Sequence, residues 1–178
     1  MSKPNPAEPV KLIFSIFADK PAKIDETISA LAVYYGLPDF ISAVMPFEYT
    51  DYYCPEMGAG LVRRFISMAK LIRPESLPDI KKATNGIEEK SAAAGKRSVN
   101  IDPGYLSKAH LILATGKGYS HRPYLRDGIY ADLTLIYQNK KFCVLPWTYP
   151  DYASIAFQGM LEKIRAGYLL QLKEDNIN

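Results

Sequence analysis

The densest chemistry in the chain lies at Thr115-Gly116-Lys117-Gly118-Tyr119-Ser120-His121-Arg122, where Lys, His and Arg side chains stand beside two glycines. Flexible backbone amides flanked by cations suit an anion such as phosphate or carboxylate. Lys117 and Arg122 are therefore candidate ligand-binding residues. His121, a side-chain type that changes charge near neutral pH, is a candidate proton donor or acceptor. The string is not a P-loop: it lacks the upstream glycine and the Ser or Thr after lysine, and nothing after it has helical periodicity. A solvated connector whose cations stay wet accounts for the same residues, and both readings stay open here.

Two acidic segments could supply the complementary chemistry. Asn100-Ile101-Asp102-Pro103-Gly104-Tyr105 puts Asp102 at an expected strand end, where a carboxylate can act as a base, although capping of its own Pro-Gly turn explains it equally well. The stretch from Phe47 through Gly58 concentrates acids, tyrosines and Cys54 between expected strands, and Asp51 is its candidate acid-base group. Arg63 and Arg64 follow closely, and one of them is expected to pair with Glu56 or Asp51. Further on, Trp147-Thr148-Tyr149-Pro150-Asp151-Tyr152 offers aromatic faces for stacking; Asp151 is a candidate ligand acceptor and also a candidate N-cap of the following helix.

These residues need a scaffold, and the composition supports one. Of 178 residues, 48% are hydrophobic and 23% charged, enough for a single core without compositional disorder. A net charge of +3 falls short of the concentrated basic surplus of an electrostatic nucleic-acid footprint. Cys54 and Cys143 are too few for a disulfide framework or a four-cysteine zinc site, and with only His110 and His121 beside them no metal is expected. No apolar run approaches the length of a membrane span and no signal peptide is evident, so the expected compartment is the cytoplasm.

Residues 1–9 lack periodicity and read as a flexible tail before a single α+β domain over residues 10–178. Residues 10–18 read as a central strand. Ile24, Ile28, Leu31 and Tyr35 mark a helix between Pro21 and Gly36. Residues 40–49 alternate like a strand, and residues 61–72 fit strand or helix, with strand favoured. Ser76 is placed to cap a helix whose apolar face runs Ile80, Ala83, Ile87 and Ala94 up to Gly95. Short strands over residues 98–101 and 110–114 are expected to join through the Asp102-Pro103-Gly104 turn. A hairpin over residues 129–145 and a final helix from Ser154 complete the chain. The order predicts a ferredoxin-like βαββαβ core with an added C-terminal β-hairpin and terminal helix, its sheet mostly antiparallel.

The sequence resembles the domain-of-unknown-function 4416 family, a prokaryotic group, over nearly its whole length. The resemblance rests on Thr50-Asp51-Tyr52-Tyr53 with Glu56-Met57-Gly58, Leu61 and Arg63; Lys81 with Thr84-Asn85; the segment from Asn100 to Tyr105; Lys117 with His121-Arg122; Tyr124; and the segment from Trp147 to Tyr152. It carries over no activity, cofactor or catalytic residue. Arg63, Tyr124 and Trp147 join the candidate ligand-binding residues. The label of GTP-binding protein attached automatically to such sequences finds no support, since Asn139-Lys140-Lys141-Phe142 lacks the aspartate that reads guanine.

The reading that follows is a small-molecule site, enzymatic or not, for an anionic or phosphorylated ligand. Lys117, His121 and Arg122 would hold the anion, with Asp102 or Asp51 as acid-base partner. The alternative is an RNA-binding or protein-interaction module using its sheet face and aromatics.

Overall fold

In a computed structural model, residues 1–92 and 95–175 are described. Strand β1 (Val10–Ala18) is a run of branched and aromatic residues buried at every position, because it pairs on both sides. Helix α1 (Pro21–Tyr35) starts on Pro21 and buries Ile24, Ile28 and Leu31; Gly36, at φ 83°, stops it. The single strand expected over residues 40–49 is two short ones, β2 (Pro38–Ile41) and β3 (Met45–Pro46). Between them Ser42 substitutes its hydroxyl for a ladder group, accepting from Phe65 N at 3.0 Å.

After the short helix α2 (Cys54–Met57), residues with helix-compatible spacing form strand β4 (Val62–Ile72). The ladder to β1 decides between the two periodicities. Helix α3 (Leu77–Lys90) follows a single turn of 3-10 helix, and Ser76 does not cap it: its hydroxyl donates instead to Arg73 O at 2.6 Å. The expected extension to Gly95 ends at Lys90, and Ala94 lies outside the described residues.

Strands β5 (Val99–Leu106), β6 (His110–Thr115), β7 (Tyr124–Arg126), β8 (Ile129–Gln138) and β9 (Lys141–Val144) complete the sheet. Asp127-Gly128 turns β7 into β8 with positive φ at both residues, and Asn139-Lys140 does the same before β9. The segment expected as a loop from Trp147 contains helix α4 (Pro150–Ala153), and α5 (Ile155–Asp175) closes the chain.

The architecture is α+β with antiparallel pairing at every described ladder, in the order β2-β4-β1-β5-β6-β8-β7, with β3 on β4 and β9 on β8. Alternation sorts the two faces. Leu12, Phe14, Ile16 and Ile101 pack under α1 and α3, whereas Ile13, Phe65, Leu111 and Leu135 pack under α5 through Phe157, Leu161 and Ile164. Among the described residues, no helix is long and apolar enough to cross a membrane.

Candidate functional site

The site begins with an incomplete ladder. β5 follows β1 along its whole length, to Ala18↔Val99, and β6 follows β8 to Thr115↔Tyr130. Between β5 and β6 the register runs only through Gly104↔Leu113, Tyr105↔Ile112 and Leu106↔Leu111. The two strands then diverge like a fork. Asp102-Pro103-Gly104, expected as a turn, is thus continuous strand at the point of divergence. Glycine is required there: a Cβ on Gly104 would lie 2.4 Å from the Ile112 carbonyl oxygen and 2.7 Å from Leu113 Cδ2.

Divergence leaves backbone groups of β5 without a strand partner, and buried amides must be paired. Helix α3 supplies the replacement. Ile101 N donates to Glu88 Oε1 at 2.7 Å, and Lys81 Nζ donates to Ile101 O at 3.0 Å. Pro103, two residues on, turns its nitrogen to the same open side by the period of the strand, where it has no N–H to satisfy. Lys81 and Glu88 sit seven positions apart on one helix face, both buried, with the fully buried Thr84 between them.

The fork opens into a cleft of ≈ 710 Å³ with α3 on one wall and α4 on the other; its mouth is lined by Tyr49, Thr50, Tyr52 and Tyr53 together with residues 115–117. Five cations among the described residues line it, and four have carboxylate partners. Arg97 grips Glu56 through two 2.7 Å hydrogen bonds and reaches Glu88 at 2.9 Å. It also donates to Asn100 Oδ1 at 3.0 Å, and Asn100 Nδ2 donates in turn to Asp102 Oδ2 at 2.9 Å. Lys81 Nζ stands 3.5 Å from Asp102 Oδ1. Burial pushes the Glu88 carboxyl above its ordinary range, against the nearby charge of Lys81. Burial, reinforced by the charge of Asp102, raises the Tyr53 phenol, which remains a hydrogen-bond donor.

On the opposite wall, Arg63 pairs with Asp151, both side chains buried, and its guanidinium lies 4.0 Å from the centre of the Phe47 ring. The expected pairing of Arg63 or Arg64 with Glu56 or Asp51 is therefore corrected: Arg64 meets Asp25, and Glu56 meets Arg97. Asp151 does not cap the terminal helix either. Ser154 does, its hydroxyl accepting from Phe157 N at 3.2 Å, which leaves the Asp151 carboxylate for Arg63.

Lys117 and Arg122 both face the cleft. Among the described residues Lys117 Nζ bonds only a phenol, donating to Tyr52 OH at 3.1 Å across the mouth and lying 4.4 Å from the centre of that ring. Arg122 is anchored by Nε on Asp132 Oδ2 at 2.7 Å, while its terminal nitrogens make long bonds to Lys117 O at 3.3 Å and Tyr149 OH at 3.4 Å. His121 and Trp147 lie behind this wall rather than on it. Their rings stack at 4.8 Å, Trp147 Nε1 donates to Leu133 O at 2.7 Å, and His121 Nε2 makes no hydrogen bond among the described residues, standing 3.8 Å from Asp132. Asp51 is exposed beside Cys54, outside the lining. Tyr124 sits on the edge strand β7 against Tyr130.

The cleft thus brings together Asp102, Lys117, Arg122, Arg63 and Asp151, and leaves His121, Asp51, Tyr124 and Trp147 off its surface. Arg97, Glu88 and Asp132 line it without having been candidates. A signal for the first wall exists in Lys81 and Glu88, polar residues placed within reach of the apolar stripe of α3. Among the described residues no cluster of three or more His, Cys, Asp or Glu side chains is placed to hold a metal ion.

These features define an antiparallel α+β protein with a charged cleft at a sheet divergence. The chain belongs to the family described as Domain of unknown function (DUF4416), whose model matches residues 8–168. No curated protein and no solved structure matches it.

Proposed function

We propose that the cleft binds a small anionic molecule, its anion held by Lys117 and Arg122, with Asp102 facing it as hydrogen-bond acceptor and acid-base group. The observation that carries this reading is charge matching: of the five cations lining the cleft among the described residues, Lys117 is the one without a carboxylate partner. A cation left uncompensated in a concave site among ionic pairs is an invitation to an anion. Asp102 is the counterpart, its side chain 31% exposed against 6% for Glu88, 9% for Asp132 and 8% for Asp151.

We also read the first six major elements as a ferredoxin-like core, supported by the order β2-β4-β1-β5 with α1 and α3 on one face. A cytoplasmic setting is supported by Cys54 and Cys143 being free thiols. An RNA-binding sheet face is less well supported, because helices cover both faces of the central strands.

A thermal-shift screen of phosphorylated and carboxylated metabolites tests the proposal. An anion at about one hundred times its Kd should stabilise the wild type by about 2.7 kcal/mol, and Lys117→Met should abolish most of the shift. Absence of any anion-dependent shift, or an undiminished shift in Lys117→Met, overturns it.

A further inference from the structure

The anion accounts for only one end of the cleft. Around the cleft the carboxylates differ sharply in how much hydrogen-bonding capacity they retain. Glu88 is buried and spends its oxygens on Ile101 N and Arg97; Asp132 is buried against Arg122 and Thr134; Asp151 is buried against Arg63 and the amide of Tyr152. Asp102 alone is open. Its Oδ2 accepts one bond from Asn100, and its Oδ1 has, among the described residues, only the ammonium of Lys81 at 3.5 Å. Each carboxylate oxygen can accept about two hydrogen bonds, so Asp102 has room for more donors than the protein provides.

A second polar group shares this wall. Asn85, half-buried on α3 between Lys81 and Glu88, lines the cleft, and its amide makes no hydrogen bond among the described residues. An unbonded amide offers two donors and an acceptor. Paired with an open carboxylate, it matches groups that both donate and accept. Hydroxyls do this, whereas carbonyls, ethers and additional anions do not. A second anion is excluded further by the acids: Asp102 would meet it with like charge.

The cation end also selects. Lys117 contributes an ammonium, and Arg122, fixed through Nε, keeps two terminal nitrogens on weak bonds of 3.3 and 3.4 Å that a better acceptor would replace. An acceptor with three peripheral oxygens uses this array more fully than a carboxylate does. The volume of ≈ 710 Å³ accommodates a body well beyond the anion itself.

Building on the anion-site reading, we infer that the ligand is a phosphorylated polyol of the sugar-phosphate class, its phosphate at Lys117 and Arg122 and its hydroxyls on Asp102 and Asn85. The anion supplies affinity at the mouth, and the hydroxyls supply selectivity at the α3 wall.

Titration calorimetry with inorganic phosphate, pentyl phosphate and ribose 5-phosphate separates the two layers of this reading. Hydrogen bonds to a charged acceptor predict that ribose 5-phosphate binds at least about tenfold more tightly than pentyl phosphate, which has the same chain length without hydroxyls. Asp102→Ala should reduce that preference to about twofold or less, through weaker binding of ribose 5-phosphate. Asp102→Leu, which keeps the approximate shape of the side chain without a hydrogen-bonding group, serves if the alanine variant does not fold, and should show the same narrowing. Equal binding of the two organic phosphates, or a preference that survives in both Asp102 variants, overturns the sugar-phosphate inference and leaves the anion site standing. Failure of all three phosphates to bind overturns the sugar-phosphate inference, and the anion site falls with it when carboxylated metabolites also give no thermal shift.

Discussion

β1 and β5 lie side by side at the centre of the sheet, and they differ in one respect. β1 is flanked by strands along its length, whereas β5 has β6 beside it for only three register pairs before the two separate. The unbroken strand contributes Leu12, Phe14 and Ile16 to the core. The interrupted one contributes Asn100 and Asp102 to a cleft. An interior site in a sheet requires that ladder bonds be given up, and in this fold the side chains of one helix replace them.

That comparison can be broken most severely at the point of divergence. Gly104→Ala forces a Cβ into the β6 backbone, and overpacking of this kind should cost about 3 kcal/mol or more, measured as a fall in the urea midpoint. Next in size, Lys81→Met removes the donor on Ile101 O and leaves a buried carbonyl unpaired, at a cost of about 2 kcal/mol in the same assay. Pro103→Ala probes the open side directly. It restores an N–H facing the gap and frees the unfolded chain, and should destabilise by about 1 kcal/mol.

The smallest effect is a slope. Burial raises the folded-state pKa of Glu88 above its ordinary value of 4.5. The folded chain therefore holds this proton more tightly than the unfolded chain, so the contribution is fully favourable below the ordinary value and is lost as pH rises through the folded one. Comparing urea midpoints of wild type and Glu88→Gln from about pH 4 to about pH 7 should show the wild type losing ground to the variant as pH increases. A constant difference would show that folding does not perturb the Glu88 carboxyl, and one that moves the other way would show that folding favours its ionised form.

The contrast between the strands also explains what could be read from the residues alone. β1 is legible because its burial is uniform, and the β8–β9 hairpin because its period-two alternation is local. Asp102-Pro103-Gly104 carries strong turn residues, yet it is strand, since the proline nitrogen faces the gap where β6 has left the ladder and the missing Cβ answers to the β6 backbone; neither answers to its neighbours in sequence. Arg63 and Asp151 are 88 residues apart, a separation across which spacing has nothing to say. Lys117, Arg122 and Asp102 show their chemistry in the sequence, but only the fold makes them a group. His121 was equally visible, but its ring is stacked on Trp147 behind the wall.

Helix α5 gives the fork a mechanical character. Through Phe157, Leu161 and Ile164 it packs on Ile13 and Phe65 from one half of the sheet and on Leu111 and Leu135 from the other. It is a splint laid across both prongs. The two halves are therefore joined behind the fork by one continuous element, and a ligand of the proposed kind would spend less binding energy on ordering its site.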